Sequence, residues 1–111
     1  MSLNVADTAR ALEFYRDVLG MRELERPDFP FGGAWLDAGS GLQVHLIEAD
    51  VPPDAGQHVA FRVDALDEAV DRLRAAGIAV EEPRPVGGTA IRQTFFHDPD
   101  GNRIEFTHPA G

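Results

Sequence analysis

Short runs of period-two alternation between apolar and polar residues fill most of this chain, and twice the period lengthens to that of a helix. Leu3 and Val5 flank Asn4, and after Asp7 the residues Ala11, Leu12, Tyr15, Val18 and Leu19 recur at helical spacing until Gly20. This predicts a short strand ending at Val5, then a helix capped by Asp7, buried along that stripe and stopped at the glycine. Strands are predicted next over Met21 to Glu25, Gly33 to Asp37 and Leu42 to Glu48. Between the first two lies an aromatic loop, Arg26 to Gly33, with two prolines and two phenylalanines. The polar, proline-bearing stretch Asp50 to Gln57 reads as a linker.

Beyond the linker the pattern starts again. His58 to Val63 is a predicted strand, and Asp64 a helix cap with Asp67 at the third helical position. Leu66, Ala69, Val70, Leu73 and Ala76 form the buried stripe of that helix. Strands follow over Ile78 to Glu82, Ile91 to His97 and Arg103 to His108, with Pro83 to Gly88 as the counterpart of the aromatic loop. The last two strands are joined by Asp98-Pro99-Asp100-Gly101-Asn102, dense turn chemistry that reads as a hairpin.

The two halves are copies of one unit. Leu3-Asn4-Val5 mirrors Phe61-Arg62-Val63, 58 positions on, and the Asp7 helix mirrors the Asp64 helix, 57 positions on. At the hairpins, 60 positions apart, Trp35 falls on Phe95, Gly41 on Gly101, Val44 on Ile104 and His45 on Glu105. A repeat of this length governs the fold. The expected class is α+β: two βαβββ modules forming a curved mixed sheet, a cup, with the helices on its outer face. The chain reads as one domain over residues 1–111, with module one at 1–49, the linker at 50–57 and module two at 58–111.

Alternation also sorts the central strands into faces. Leu3, Val5, Val44, Leu46, Val59, Phe61, Val63, Ile104 and Phe106 share one face, which is apolar and belongs under the helices. Asn4, Gln43, His45, His58, Arg62, Arg103, Glu105 and Thr107 share the other, with Trp35 expected in the core. Two imidazoles and a carboxylate on repeat-related strands suit a divalent Zn, Ni, Co, Mn or Fe ion and leave positions open for water or substrate. His45, His58 and Glu105 are therefore the candidate metal ligands, with Glu105 also the candidate catalytic base. Arg62, Asn4, Gln43 and Arg103 are candidates for substrate binding, the arginines for an anionic group. His97 is expected to be structural or exposed, and His108 solvated at a strand end. The repeat partner of His58 would fall just ahead of Met1, so either a ligand precedes the chain given or the site has three protein ligands.

Composition narrows the classes. The formal net charge is −9 over 111 residues, which disfavours nucleic acid as a partner and is compatible with cationic ligands. There are no cysteines, so disulfides, thiol catalysis and thiolate metal sites are excluded. Charges at Asp7, Arg10, Glu13, Arg16 and Asp17 fit neither a signal peptide nor a membrane span, and a cytoplasmic location is the expectation. Each half is too small to be comfortably stable alone, so joint burial within the chain or across a dimer is expected.

Three segments resemble the vicinal oxygen chelate superfamily of glyoxalases, bleomycin-resistance proteins and extradiol dioxygenases. They are Leu3 to Asp7 with Ala11 to Gly20, His58-Val59-Ala60-Phe61-Arg62-Val63, and Asp98 to Glu105. The resemblance implies paired βαβββ modules around a metal-lined cup, commonly completed as a homodimer. His58 matches that superfamily's histidine ligand of the second module, and Glu105 its last-strand glutamate. His45 stands where glyoxalase I enzymes typically carry a glutamate, a departure that points away from glyoxalase I proper.

Two functions follow as expectations. One is a glyoxalase-like metal-dependent enzyme, a lyase, isomerase or dioxygenase, acting on a small oxygenated substrate chelated by the metal. Such an ion stabilises developing negative charge while a nearby carboxylate moves the proton. The other is a non-catalytic protein of the bleomycin-resistance type, holding a cationic ligand in a dimer cleft.

Overall fold

A computed structural model describes residues 1–108; the last three residues assigned to module two lie outside the described residues. The element order is β1 (Ser2–Val5), α1 (Thr8–Leu12) running directly into a π-helical segment (Glu13–Val18), β2 (Arg22–Leu24), β3 (Gly33–Gly39) and β4 (Leu42–Glu48). There follow β5 (Val59–Arg62), α2 (Leu66–Ala75), β6 (Arg84–Pro85), β7 (Arg92–His97) and β8 (Arg103–His108). This is the expected α+β chain of two βαβββ modules. Each module forms its own four-stranded mixed sheet, in the orders β1-β4-β3-β2 and β5-β8-β7-β6.

The duplication is visible in the register. Within the first sheet β1 runs parallel to β4 with Ser2 opposite His45, and β3 runs antiparallel to β4 with Trp35 opposite His45. Within the second sheet β5 runs parallel to β8 with Ala60 opposite Glu105, and β7 sets Phe95 opposite Glu105. His45 and Glu105 thus occupy the same site in their sheets, as the offset in sequence requires.

By contacts the chain divides into two compact units, Met1–Pro53 with Pro99–Asn102, and Asp54–Asp98 with residues 103–108. In the first unit Val5, Ala34, Leu36, Val44 and Leu46 are buried beneath the first helix, which contributes Ala11, Phe14 and Tyr15. The helix starts as expected: Asp7 Oδ1 accepts from the Arg10 backbone N–H at 3.1 Å. Phe14, not among the residues of the expected stripe, is buried as well, three residues after Ala11 and four before Val18. The end of the helix is π-helical, with the Leu19 N–H donating five residues back to the Phe14 carbonyl at 2.9 Å. Adjacent Phe14 and Tyr15 both face inward, their rings edge to face at 5.2 Å.

The hairpin tip 99–102 packs in this unit too. The Asp100 carboxylate accepts from the Ala6 N–H and pairs with Arg10, and Asn102 Nδ2 donates to the Asn4 carbonyl at 2.9 Å.

In the second unit Leu66, Val70 and Leu73 of α2 are buried with Phe61, Phe96, Ile104 and Phe106 of the sheet. Burial of this kind contributes roughly 1.5–3 kcal/mol per large side chain. Two expectations fail here. Asp64 is exposed and does not cap α2, whose N-cap is Ala65 with no side-chain hydrogen bond; the carboxylate lies 3.8 Å from Arg62 instead. The strand expected at Ile78 to Glu82 is replaced by the two-residue β6 further on. Pro83 and Pro85 have no N–H to donate, which keeps β6 itself short. At Glu81 the hydroxyl of Thr94 donates to the backbone carbonyl, and the Glu81 N–H reaches the Phe95 carbonyl at 3.3 Å. No helix among the described residues is long and apolar enough to cross a membrane.

Candidate functional site

In the second unit, His58 sits one residue ahead of β5 and Glu105 is the third residue of the neighbouring β8. Alternation turns both to the face opposite Phe61, Ile104 and Phe106. His58 Nε2 lies 3.0 Å from Glu105 Oε1, with side-chain exposures of 33% and 14%. On the far edge of the imidazole, Nδ1–H donates to the Gly56 carbonyl at 2.9 Å. A carbonyl only accepts, so the Nδ1 proton is fixed, and in the neutral ring Nε2 carries a lone pair aimed at a carboxylate oxygen.

Two acceptors at that distance repel unless a cation lies between them, either a proton on Nε2 or a metal ion. Ligands about 2.1 Å from one metal at right angles stand about 3 Å apart. The pair therefore fits two adjacent positions of a metal site. A ligating histidine that gives its other N–H to a backbone carbonyl is the usual supporting arrangement.

Phe95, opposite Glu105 on β7, walls this pair. Its ring meets the His58 ring edge to face at 5.3 Å, and the Arg103 guanidinium lies over it at 4.2 Å from the centroid. Arg103 is thereby held on the polar face by a cation–π contact. Arg62 is 72% exposed at the side chain.

In the first unit, His45 Nε2–H donates to Gln43 Oε1 at 2.8 Å, leaving Nδ1 with the lone pair. Partial burial pushes its pKa below the ordinary histidine value, and the N-terminal ammonium, which donates to the Gln43 carbonyl, lowers it further. Asn4, placed among the substrate-binding candidates, donates its Nδ2 to the Asp50 carbonyl at 2.9 Å. His45 belongs to one unit and the His58–Glu105 pair to the other. Among the described residues no group of three or more His, Asp or Glu side chains is arranged to hold a metal ion.

Trp35 was missed as a site residue. Expected in the core, it lies half-buried on the polar face, stacked on His45 at 4.1 Å and 4°. The signal was present: Ala34 and Leu36 are the apolar positions of β3, and alternation turns Trp35 the other way. Phe29 leans on Trp35 at 6.1 Å and stacks on Phe31 at 5.2 Å and 9°, so an aromatic row runs out from His45 along the loop before β3. Phe29 and Phe31 remain 37% and 46% exposed, with the Arg26 guanidinium over both rings.

His97 is exposed, as expected, and its Nε2–H donates to Asp54 Oδ2 at 2.8 Å. That donation, first, and the Gly56 N–H hold the Asp54 carboxyl below the usual carboxylate range. His108 is half-buried rather than solvated, because its Nδ1–H donates to the Val63 carbonyl at 3.0 Å.

Known proteins are similar to this chain over most of its length. The chain is 35% identical over 116 residues to the lactoylglutathione lyase of Haemophilus influenzae, covering 94% of this chain and 86% of the relative. It is 34% identical over 110 residues to Glyoxylase I 4 of Arabidopsis thaliana, where it spans only 60% of the relative's length. Among solved structures, TnmS3, an antibiotic binding protein from Streptomyces sp. CB03234, superposes with a TM-score of 0.81 at 30% identity, covering 99% of this chain and 93% of that one. Residues 1–106 match the family described as the Glyoxalase/Bleomycin resistance protein/Dioxygenase superfamily, and with the duplicated modules and their register the chain belongs to that superfamily.

Proposed function

We propose that this chain is a metal-dependent enzyme of the lyase or isomerase type, acting in the cytoplasm on a small oxygenated substrate. His58 and Glu105 would hold a divalent ion (Zn, Ni, Mn, Co or Fe), His45 would be the third ligand, and a homodimer the form in which the site is complete. When bound, such an ion supplies Lewis-acid polarisation of adjacent substrate oxygens.

The observation that carries the reading is the His58 imidazole: its Nδ1 lies 2.9 Å from the Gly56 carbonyl and its Nε2 3.0 Å from Glu105 Oε1, as two adjacent metal ligands would stand. The likeness to a lactoylglutathione lyase favours lyase chemistry over a dioxygenase.

The other residues take roles suited to their surroundings. Glu105, the carboxylate of the pair, would take a proton from a carbon next to a substrate carbonyl. Gln43 would orient His45, and Trp35 would limit water around it. Arg103, lying over Phe95, and exposed Arg62 would meet an anionic group of the substrate, while Asn4 would donate to a substrate oxygen from β1.

Metal titration of the purified protein is the test. A bound divalent ion in the wild type, lost or weakened at least tenfold in His58→Ala and Glu105→Gln, is expected. Equal metal content in wild type and variants overturns the reading.

A second reading is supported by the exposed Phe29–Phe31 stack, the net charge of −9 and the likeness to an antibiotic binding protein. Here the chain would be a non-catalytic binder, trapping a cationic ligand in a dimer cleft. Calorimetric binding of a cationic glycopeptide by metal-free wild type, unaffected by Glu105→Gln, would favour this reading over the enzyme.

A further inference from the structure

Four side chains and one backbone unit of the second unit form a continuous hydrogen-bonded chain that ends on the His58–Glu105 pair. It begins at exposed His97, whose Nε2–H donates to Asp54 Oδ2 at 2.8 Å. The other carboxylate oxygen, Asp54 Oδ1, accepts the Gly56 N–H at 2.9 Å. The carbonyl of Gly56 accepts His58 Nδ1–H at 2.9 Å, and His58 Nε2 faces Glu105 Oε1 at 3.0 Å. Residues 52–58 are all exposed, so hydrogen bonds rather than burial set the path of this loop. Gly56 adopts φ 103°, a conformation that other residues enter only with strain, and this lets its N–H and carbonyl serve Asp54 and His58 together.

We propose that Asp54 and His97 are positioning residues that hold the Gly56 carbonyl on His58 Nδ1 and so fix which imidazole nitrogen is presented to Glu105. As a surface ion pair, with side-chain exposures of 51% and 32%, His97–Asp54 contributes little to stability. Its effect is orientational. Held at both oxygens, Asp54 cannot rotate away from the Gly56 N–H. Released from His97, the carboxylate turns to water, the Gly56 peptide loses its anchor, and the His58 ring can place its proton on either nitrogen. The charged groups beside the pair are Glu81 and Arg103, which line the same cleft, and Arg103 also favours the ionised form of Asp54.

The inference rests on His58 being a metal ligand, but its primary readout needs no metal. Long-range proton–nitrogen correlation spectra of the metal-free full chain carrying Glu105→Gln, whose amide can donate to Nε2 as well as accept from it, report the tautomer of His58 with no carboxylate facing that nitrogen. This parent chain is expected to show the Nδ1–H form, and the same chain with Asp54→Ala or His97→Ala a mixture with the Nε2–H form. His97→Gln, which keeps a donor for Asp54, and Asp54→Asn, which keeps an acceptor for Gly56, are expected to restore most of the parent signal. Zn²⁺ affinity, titrated in parallel with Glu105 intact, is expected to fall about tenfold or more in the two alanine variants.

An unchanged His58 tautomer in both alanine variants overturns the proposal, and so does a Glu105→Gln parent already in the Nε2–H form. His97→Ala removes an exposed side chain and leaves the core intact, so the test stands even if Asp54→Ala folds poorly. If the tautomer shifts while the wild type binds no Zn²⁺, the clamp stands and the metal reading fails. If Zn²⁺ binding depends on His58 but neither alanine variant alters tautomer or affinity, the clamp alone fails.

Discussion

Trp35 lies flat on His45, ring centroids 4.1 Å apart and planes within 4° of parallel. The contact joins two directly opposed residues of antiparallel strands, and desolvation is the first cause of the low pKa of His45. Because that pKa is lowered on folding, the unfolded chain takes up the proton first as pH falls. The stability at stake is complete above the ordinary value of 6.5 and is lost as pH drops through it toward the folded value. Trp35→Leu is expected to raise the His45 pKa toward 6.5 and flatten this part of the stability profile, read by NMR titration and by denaturation at several pH values.

Glu48 gives the same sign through hydrogen bonding rather than burial. Its Oε1 accepts both the N–H and the hydroxyl of Thr8, at 2.9 and 2.8 Å, and the backbone donor is the main cause of its lowered pKa. The associated stability is present above the ordinary glutamate range and is lost as pH falls through the folded value. A Cβ at Gly32 would stand 2.1 Å from Glu48 Oε2. Gly32→Ala is therefore expected to push the carboxylate off Thr8 and return its pKa to the ordinary range, measured by carboxyl-carbon NMR.

Gly33 has no such escape. A Cβ there would lie 2.2 Å from the Leu46 carbonyl oxygen, which is backbone of the paired strand β4. Gly33→Ala is expected to destabilise the chain far more than Gly32→Ala, a difference visible in urea denaturation midpoints.

Core and surface should separate cleanly. Ile104 has no exposed area beneath α2, and Ile104→Ala is expected to cost about 2–5 kcal/mol. The double-bonded Arg92–Asp67 pair joins side chains that are 38% and 74% exposed. Removing either partner is expected to cost less than about 1 kcal/mol. Denaturant titration of Ile104→Ala and Arg92→Ala compares the two directly.

The duplicated fold was legible because a period of two fixes faces and a repeated spacing fixes register. His45 and Glu105 sit at corresponding ladder positions, as Val44 and Ile104 already implied. The misses have local causes. Phe14 completes the i, i+3, i+4, i+7 set with Ala11, Tyr15 and Val18, a spacing the sequence does carry. β6 stays short because Pro83 and Pro85 withhold the donors a ladder needs, whereas Ile78 to Glu82 holds no proline and alternates, yet forms no strand. Trp35, expected in the core through its repeat pairing with Phe95, is turned the other way by its parity in β3. The His97–Asp54–Gly56–His58 chain was out of reach, since it depends on a loop path set by one glycine's backbone angle. Of the three ligand candidates, the nearness of His58 and Glu105 follows from strand pairing.

The tip of the last hairpin packs with the first unit, where Asp100 accepts from Ala6 and pairs with Arg10. A gene cut at the linker would therefore not release two self-sufficient halves: the amino-terminal fragment would lack four residues of its own body, and the other would carry them with nowhere to dock. Duplication made the modules alike, but the exchange of this tip means neither can any longer be inherited alone.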